Sequence, residues 1–131
     1  MTESRGLGER IVLAVHDAQL ARDGGASGLR DAGLLESALA RPHNLNAYGE
    51  DDVCALAAAF AAGIVRKCPF VDGNKRTGFI AAALFLRENG VRLAAPEGEA
   101  VVMTLGLASG ELAEEGFAAW LRDRTEPAGR S

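Results

Sequence analysis

At 131 residues the chain has the size of one domain that buries its own core without disulfide staples. Apolar residues at 48% and charged residues at 24% fit an ordinary soluble globule, and abundant alanine beside few aromatics points to helices packed through small side chains. A net charge of −4 argues against direct nucleic-acid binding, and the longest apolar run, residues 55–65, falls short of the roughly 20 residues needed to span a membrane.

The polar start at Met1–Arg5 lacks the apolar stretch of a secretory signal, and two cysteines, Cys54 and Cys68, suit a reducing compartment. Both features imply a cytoplasmic protein. Residues 1–6 and 124–131 read as loose polar tails around one domain at 7–123.

In chain order, the first helix is expected from Leu7 to Arg22, with Ile11, Val15 and Ala18 on its inner face and Gly24-Gly25 as its stop. A loop follows, and then a short helix capped by Asp31, with Leu34, Leu35, Ala38 and Leu39 inward and Pro42 at its end. Residues 43–50 read as a polar connection. The clearest pattern comes next: Val53, Leu56, Ala57, Phe60, Ala61, Ile64 and Val65 follow the amphipathic helix template without a gap. Pro69 disfavours helical geometry at Cys68, so this helix ends near Lys67. Asn74 is placed as the N-cap of a helix from Lys75 to Asn89, whose apolar surface suits the centre of a bundle. Val91–Leu93 is extended, and two helices follow at about 97–108 and 113–123, the last burying Phe117, Trp120 and Leu121. The fold class is all-α, a compact helical bundle around one central hydrophobic helix.

The candidate site is the turn Asp72-Gly73-Asn74-Lys75-Arg76. Residues 66–76 carry Arg66, Lys67, Lys75 and Arg76 against Asp72, a net of +3 in an acidic chain, which suits a compact anionic ligand. Gly73 permits a tight turn and a close ligand approach. Free N–H groups at a helix start attract anions, Lys75 and Arg76 add full charges, and the Arg76 fork matches two phosphate oxygens. Asp72 is a hard oxygen ligand able to hold Mg²⁺ bridging to a phosphate. A solvated helix start with ordinary surface charges is the competing reading. Arg66, on the last turn before Cys68, can reach a phosphate or simply favour the helix C-terminus. His16 reads as structural or exposed, His43 as a loop residue, Arg30 and Asp31 as braces of the second helix, and Cys54 as a small packing residue.

The segment Cys68-Pro69-Phe70-Val71-Asp72-Gly73-Asn74-Lys75-Arg76-Thr77 closely resembles the core motif of the Fic/Doc family, in its Doc-like form. Gly28-Leu29-Arg30-Asp31, Gly33–Leu39 and the Leu84-Phe85-Leu86…Asn89-Gly90 helix end resemble other parts of Doc-type chains. The resemblance implies a six-helix Fic/Doc fold, ATP with Mg²⁺, and transfer of a phosphate-containing group to a protein hydroxyl. Asp72 would serve the metal; Arg66, Gly73, Asn74, Lys75 and Arg76 would hold phosphates; Cys68, Asp72, Lys75 and Arg76 would form the catalytic set. Doc-like members are toxins that phosphorylate a translation elongation factor. A Phd-like antitoxin silences them by laying a helical segment into a groove. Nucleotidyl-transferring members carry a glycine where this chain has Lys75 and a second arginine where it has Phe79, so phosphate transfer is preferred to AMP transfer.

The family's first motif residue is a histidine that takes the proton of the attacking hydroxyl; here it is Cys68. A thiol near pKa 8.5 is mostly protonated where a histidine is poised as a base. Three readings stay open: loss of the base in a weakened or inactive relative, a replacement made to tolerate a toxic enzyme, or a thiol acting as base or nucleophile. A non-enzymatic module that binds nucleotide or antitoxin is the rival to an enzyme.

Overall fold

The sequence pattern is strongest at Val53–Lys67, and that helix is the one around which most of the others pack. The computed structural model describes residues 8–128: helices α1 (Glu9–Asp23), α2 (Ala32–Ala47), α3 (Val53–Lys67), α4 (Asn74–Glu88), α5 (Glu97–Ser109) and α6 (Glu114–Arg124), with strands β1 (Val91–Leu93) and β2 (Thr125–Pro127). Every α3 residue from Leu56 to Val65 is buried, and α2, α4, α5 and α6 all pack against this helix. The central hydrophobic helix is therefore α3, not the Lys75–Asn89 helix that its composition favoured. On α4, Phe79, Ile80, Ala83 and Leu84 remain partly exposed. None of the described helices is long and apolar enough to cross a membrane.

Small residues set the spacing between the helices. A Cβ on Gly63 would lie 3.0 Å from the Ala38 carbonyl, and one on Gly78 would lie 2.7 Å from Val65 Cγ1. The α2–α3 and α3–α4 backbones thus approach closely, as the alanine-rich composition predicts, and Phe60 and Phe85 fill the space beyond the contact with ring centroids 5.0 Å apart.

Three expectations need correction. Pro42 does not end α2: the helix runs through it to Ala47, and residues 43–47 are helical rather than a connection, with His43 on the exposed side. Proline removes the hydrogen bond to the Ala38 carbonyl. Pro42 itself is buried, and the close fit of α2 on Gly63 supplies packing that outweighs local propensity. On α1 the buried residues are Val12, His16 and Gln19, whereas Ile11 and Ala18 are exposed and Val15 is half-buried. The apolar stripe misled because two of the inward positions are polar and serve the neighbouring turn. Finally, residues 125–127, expected as part of a tail, pair antiparallel with β1, joining Val91 to Pro127 and Leu93 to Thr125. The expected tail at 1–6 and the last residues, 129–131, lie outside the described residues.

Candidate functional site

The turn that joins α3 to α4 is held on three sides by contacts that leave its outer face open. It begins at Cys68, which caps α3 in the left-handed region (φ 50) and is the only described non-glycine residue with positive φ. That conformation is usually taken by glycine and costs an L-residue about 1–2 kcal/mol. Arg30 braces the bend: its Nε donates to the Cys68 carbonyl at 2.9 Å and its Nη2 to the Lys67 carbonyl at 2.9 Å. Arg30 thus caps the end of α3 rather than bracing α2. Asp31 does cap α2, accepting from the Leu34 N–H at 3.1 Å.

Beyond the bend, the loop before α2 runs alongside the turn. Leu29 and Phe70 form an antiparallel bridge, Arg30 N–H donates to the Pro69 carbonyl at 2.7 Å, and Val71 N–H donates to the Gly28 carbonyl at 3.0 Å. From below, the His16 ring stacks on Phe70 with centroids 3.8 Å apart, and its Nε2 donates to the Asp72 carbonyl at 2.8 Å. His16 is buried and structural: it fixes the backbone of the motif.

Asn74 proves to be a staple rather than a cap. Its Oδ1 accepts from the Phe70 N–H at 2.9 Å and its Nδ2 donates to the Phe70 carbonyl at 3.0 Å, closing residues 70–74 into a ring. The N-cap of α4 is Gly73, in the left-handed region at φ 76. Its bare Cα serves the interior as well as any ligand, since a Cβ there would fall inside 3.0 Å of the Gln19 amide oxygen.

The backbone N–H groups of Asn74, Lys75 and Arg76 have no hydrogen-bond partner among the described residues. They open α4 at the positive end of its dipole, with the Lys75 and Arg76 side chains exposed around them. Arg76 is only loosely paired, its Nε 4.0 Å from Asp23. Lys75 lies on the wall of two surface grooves, one of about 230 Å³ shared with Arg76, Phe79 and Thr104, the other of about 760 Å³ shared with Cys68, Met103 and Leu112.

Asp72 is exposed at the rim. Its Oδ1 accepts from the Gly73 N–H at 2.9 Å, and its Oδ2 faces the Ala26 N–H at 3.4 Å. No group of three or more His, Cys, Asp or Glu side chains converges among the described residues, so nothing here resembles a stand-alone metal cage. A single accessible carboxylate beside free amides does fit Mg²⁺, which keeps most of its waters and takes one or two carboxylates together with substrate phosphates.

Two expected site residues behave differently. The Arg66 guanidinium donates to the Leu107 carbonyl at 3.0 Å and the Leu112 carbonyl at 3.2 Å, tying α3 to the end of α5 and the turn after it. These contacts make it a brace. Cys68 sits on the groove wall, and its Sγ donates to the Val65 carbonyl at 3.3 Å.

Sequence reasoning read His16 as structural or exposed without placing it under the turn, and it missed Gln19 and the Gly25–Ala26 backbone beside Asp72. For His16 and Gln19 a signal was present: Val12, His16 and Gln19 fall at i, i+4 and i+7, a core-facing stripe with polar members.

The Fic/DOC family model matches residues 6–86, which include the whole turn. The chain is 37% identical to "Protein kinase doc" of Escherichia phage P1 over 112 residues, covering 85% of this chain and 88% of that protein. It is 48% identical to "Toxin Doc" of Mycolicibacterium smegmatis over 75 residues, covering 55% of this chain and 57% of that protein. With the motif turn, the six helices and a family match over more than half its length, this chain belongs to the Fic/DOC family.

Proposed function

We propose that the chain is a Doc-like toxin of a toxin–antitoxin pair, a phosphotransferase by descent that moves the γ-phosphate of ATP to a hydroxyl of a translation elongation factor in the cytoplasm. The observation that carries the reading is the row of unpartnered N–H groups at Asn74, Lys75 and Arg76, flanked by two exposed cations and one exposed carboxylate. Amides fixed in place stabilise charge on a transferring phosphoryl group without reorganising, and phosphoryl transfer depends mainly on such positioning and electrostatics.

In this reading the amides of 74–76, with Lys75 and Arg76, hold the phosphates, and Asp72 holds Mg²⁺. The ion would neutralise phosphate charge when bound. Asn74 acts through its backbone, because its side chain is engaged by Phe70. The attacking hydroxyl needs an acceptor for its proton at position 68, where the family's histidine is replaced by a cysteine whose Sγ is turned to the Val65 carbonyl at 3.3 Å; the chemistry is therefore weakened. That contact also favours the second reading, a binding module that keeps the pocket and the antitoxin groove. For AMP transfer, the position of the second arginine is held by Phe79, a half-buried wall of an apolar groove without a guanidinium to offer. The antitoxin would lay a helical segment along the α4–α5 face, where Val101, Val102 and Leu105 are exposed beside that groove.

ATP labelled separately at the α- and γ-phosphates tests the proposal, using the protein and its Cys68→His variant with an elongation-factor preparation. Retained γ-label, rising about 10²–10⁴-fold in the histidine variant, is expected from restoring a general base. Retained α-label would show nucleotidyl transfer, and no label with either protein would leave the binding module.

A further inference from the structure

Pro69 biases the residue before it toward extended backbone, yet Cys68 stands in the left-handed region at φ 50. Every other described residue with positive φ is a glycine. A glycine would take this bend without strain, but it would bring no side chain to the groove that Cys68 shares with Lys75. A side chain kept at a strained position needs its surroundings to hold it there.

The hold comes from Arg30, in the loop before α2. Its Nε donates to the Cys68 carbonyl and its Nη2 to the Lys67 carbonyl, both at 2.9 Å. These carbonyls belong to the two peptide planes that meet at the Cys68 Cα. A peptide plane is rigid, so pinning both planes fixes φ and ψ of residue 68, and with them the direction of its Cβ. Arg30 is itself anchored. Its N–H and that of Asp31 both donate to the Pro69 carbonyl, at 2.7 and 3.0 Å, and the Asp31 side chain caps α2. A planar fork of donors suits this task, whereas the point charge of a lysine holds two planes less firmly. We propose that Arg30 is a positioning residue that aims the side chain of residue 68 into the groove beside Lys75. The inference rests on the reading of position 68 as the place of the proton acceptor.

Transfer of the γ-label from ATP to an elongation-factor preparation tests it in the Cys68→His protein, with Arg30 kept or changed by Arg30→Lys or Arg30→Met. The ¹³C shifts and the HN–Hα coupling of residue 68 are read in the same ligand-free proteins, and they report its backbone conformation directly. Arg30→Met is expected to move residue 68 out of the left-handed region and to lower kcat about 10²-fold, with KM for ATP unchanged. Arg30→Lys keeps the charge and a donor and is expected to fall between the two. Equal kcat with and without Arg30 would overturn the inference while leaving the phosphate site intact. A fall in kcat with residue 68 still left-handed would also overturn it, making Arg30 a direct substrate contact. Absence of transfer by Cys68→His with Arg30 intact would instead remove the reading of position 68, and the inference with it.

Discussion

At the scale of single residues the motif turn depends on backbone positions that few side chains tolerate. Gly73 is the sharpest case, because it needs both the left-handed conformation and an empty Cβ direction. Gly73→Ala is expected to cost about 1–3 kcal/mol in denaturant melts, from backbone strain and collision with Gln19. Combining it with Gln19→Ala should recover part of that loss, and strict additivity of the two changes would show that they do not touch. Cys68 occupies a left-handed position as well, and histidine is among the residues that enter this region more readily than most. The exposed charges of Asp72, Lys75 and Arg76 around the start of α4 could be read from the sequence because that arrangement is local. The role of Asn74 could not: a good capping residue and a good loop staple have the same side chain, and only the position of Phe70 decides between them. The bracing contacts of Arg66 are hidden from the sequence for a similar reason. Its charge is visible in the sequence, but the Leu107 and Leu112 carbonyls that engage it come from elements some forty residues away.

At the scale of helices, glycine and alanine contacts set how closely α2, α3 and α4 approach, and large buried side chains such as Phe60 and Phe85 fill the space beyond them. Gly63 meets Ala38 on α2, including the carbonyl that Pro42 leaves without its helical donor. Gly63→Val should destabilise the fold by about 1–3 kcal/mol through overpacking, with little offset from valine's modest helix propensity. Its melting temperature relative to wild type measures this, and an unchanged value would mean that α2 and α3 can move apart freely. Helix α3 was legible because seven apolar residues keep helical register without interruption. The inner face of α1 was not, because its apolar residues point to one stripe while the site recruits His16 and Gln19 from another. Helix α2 beyond Pro42 was missed because proline is a local signal, and burial against α3 is not.

At the scale of the whole molecule, charged pairs join the C-terminal part to the rest. Arg122 donates to Asp52 at the start of α3, while Glu99 accepts from both Arg124 and Trp120. Burial pushes the Asp52 carboxyl up, but hydrogen bonds from Arg122 and the Cys54 N–H outweigh it and hold the pKa below the usual range. The Glu99 carboxyl is lowered by its hydrogen bonds to Arg124 and then Trp120. Both groups therefore contribute stability above the ordinary carboxylate pKa, about 4, and lose it as pH falls through their lower folded values. Cys54 works in the opposite sense. Burial raises its thiol pKa, so its contribution is full below about 8.5 and is lost as pH rises through the raised folded value. Melting temperature against pH should fall at both ends, with Asp52→Asn flattening the acid limb and Cys54→Ala the alkaline one; unchanged limbs in these variants would exclude the assignment.

Three backbone N–H groups facing a nucleotide's phosphates are the centre of the proposed site. Titration of Mg-ATP into ¹⁵N-labelled protein reads them individually. The amide resonances of Asn74, Lys75 and Arg76 should shift together and saturate, while those in the middle of α2 stay in place. Saturable binding that moves other resonances and leaves these three still would contradict it.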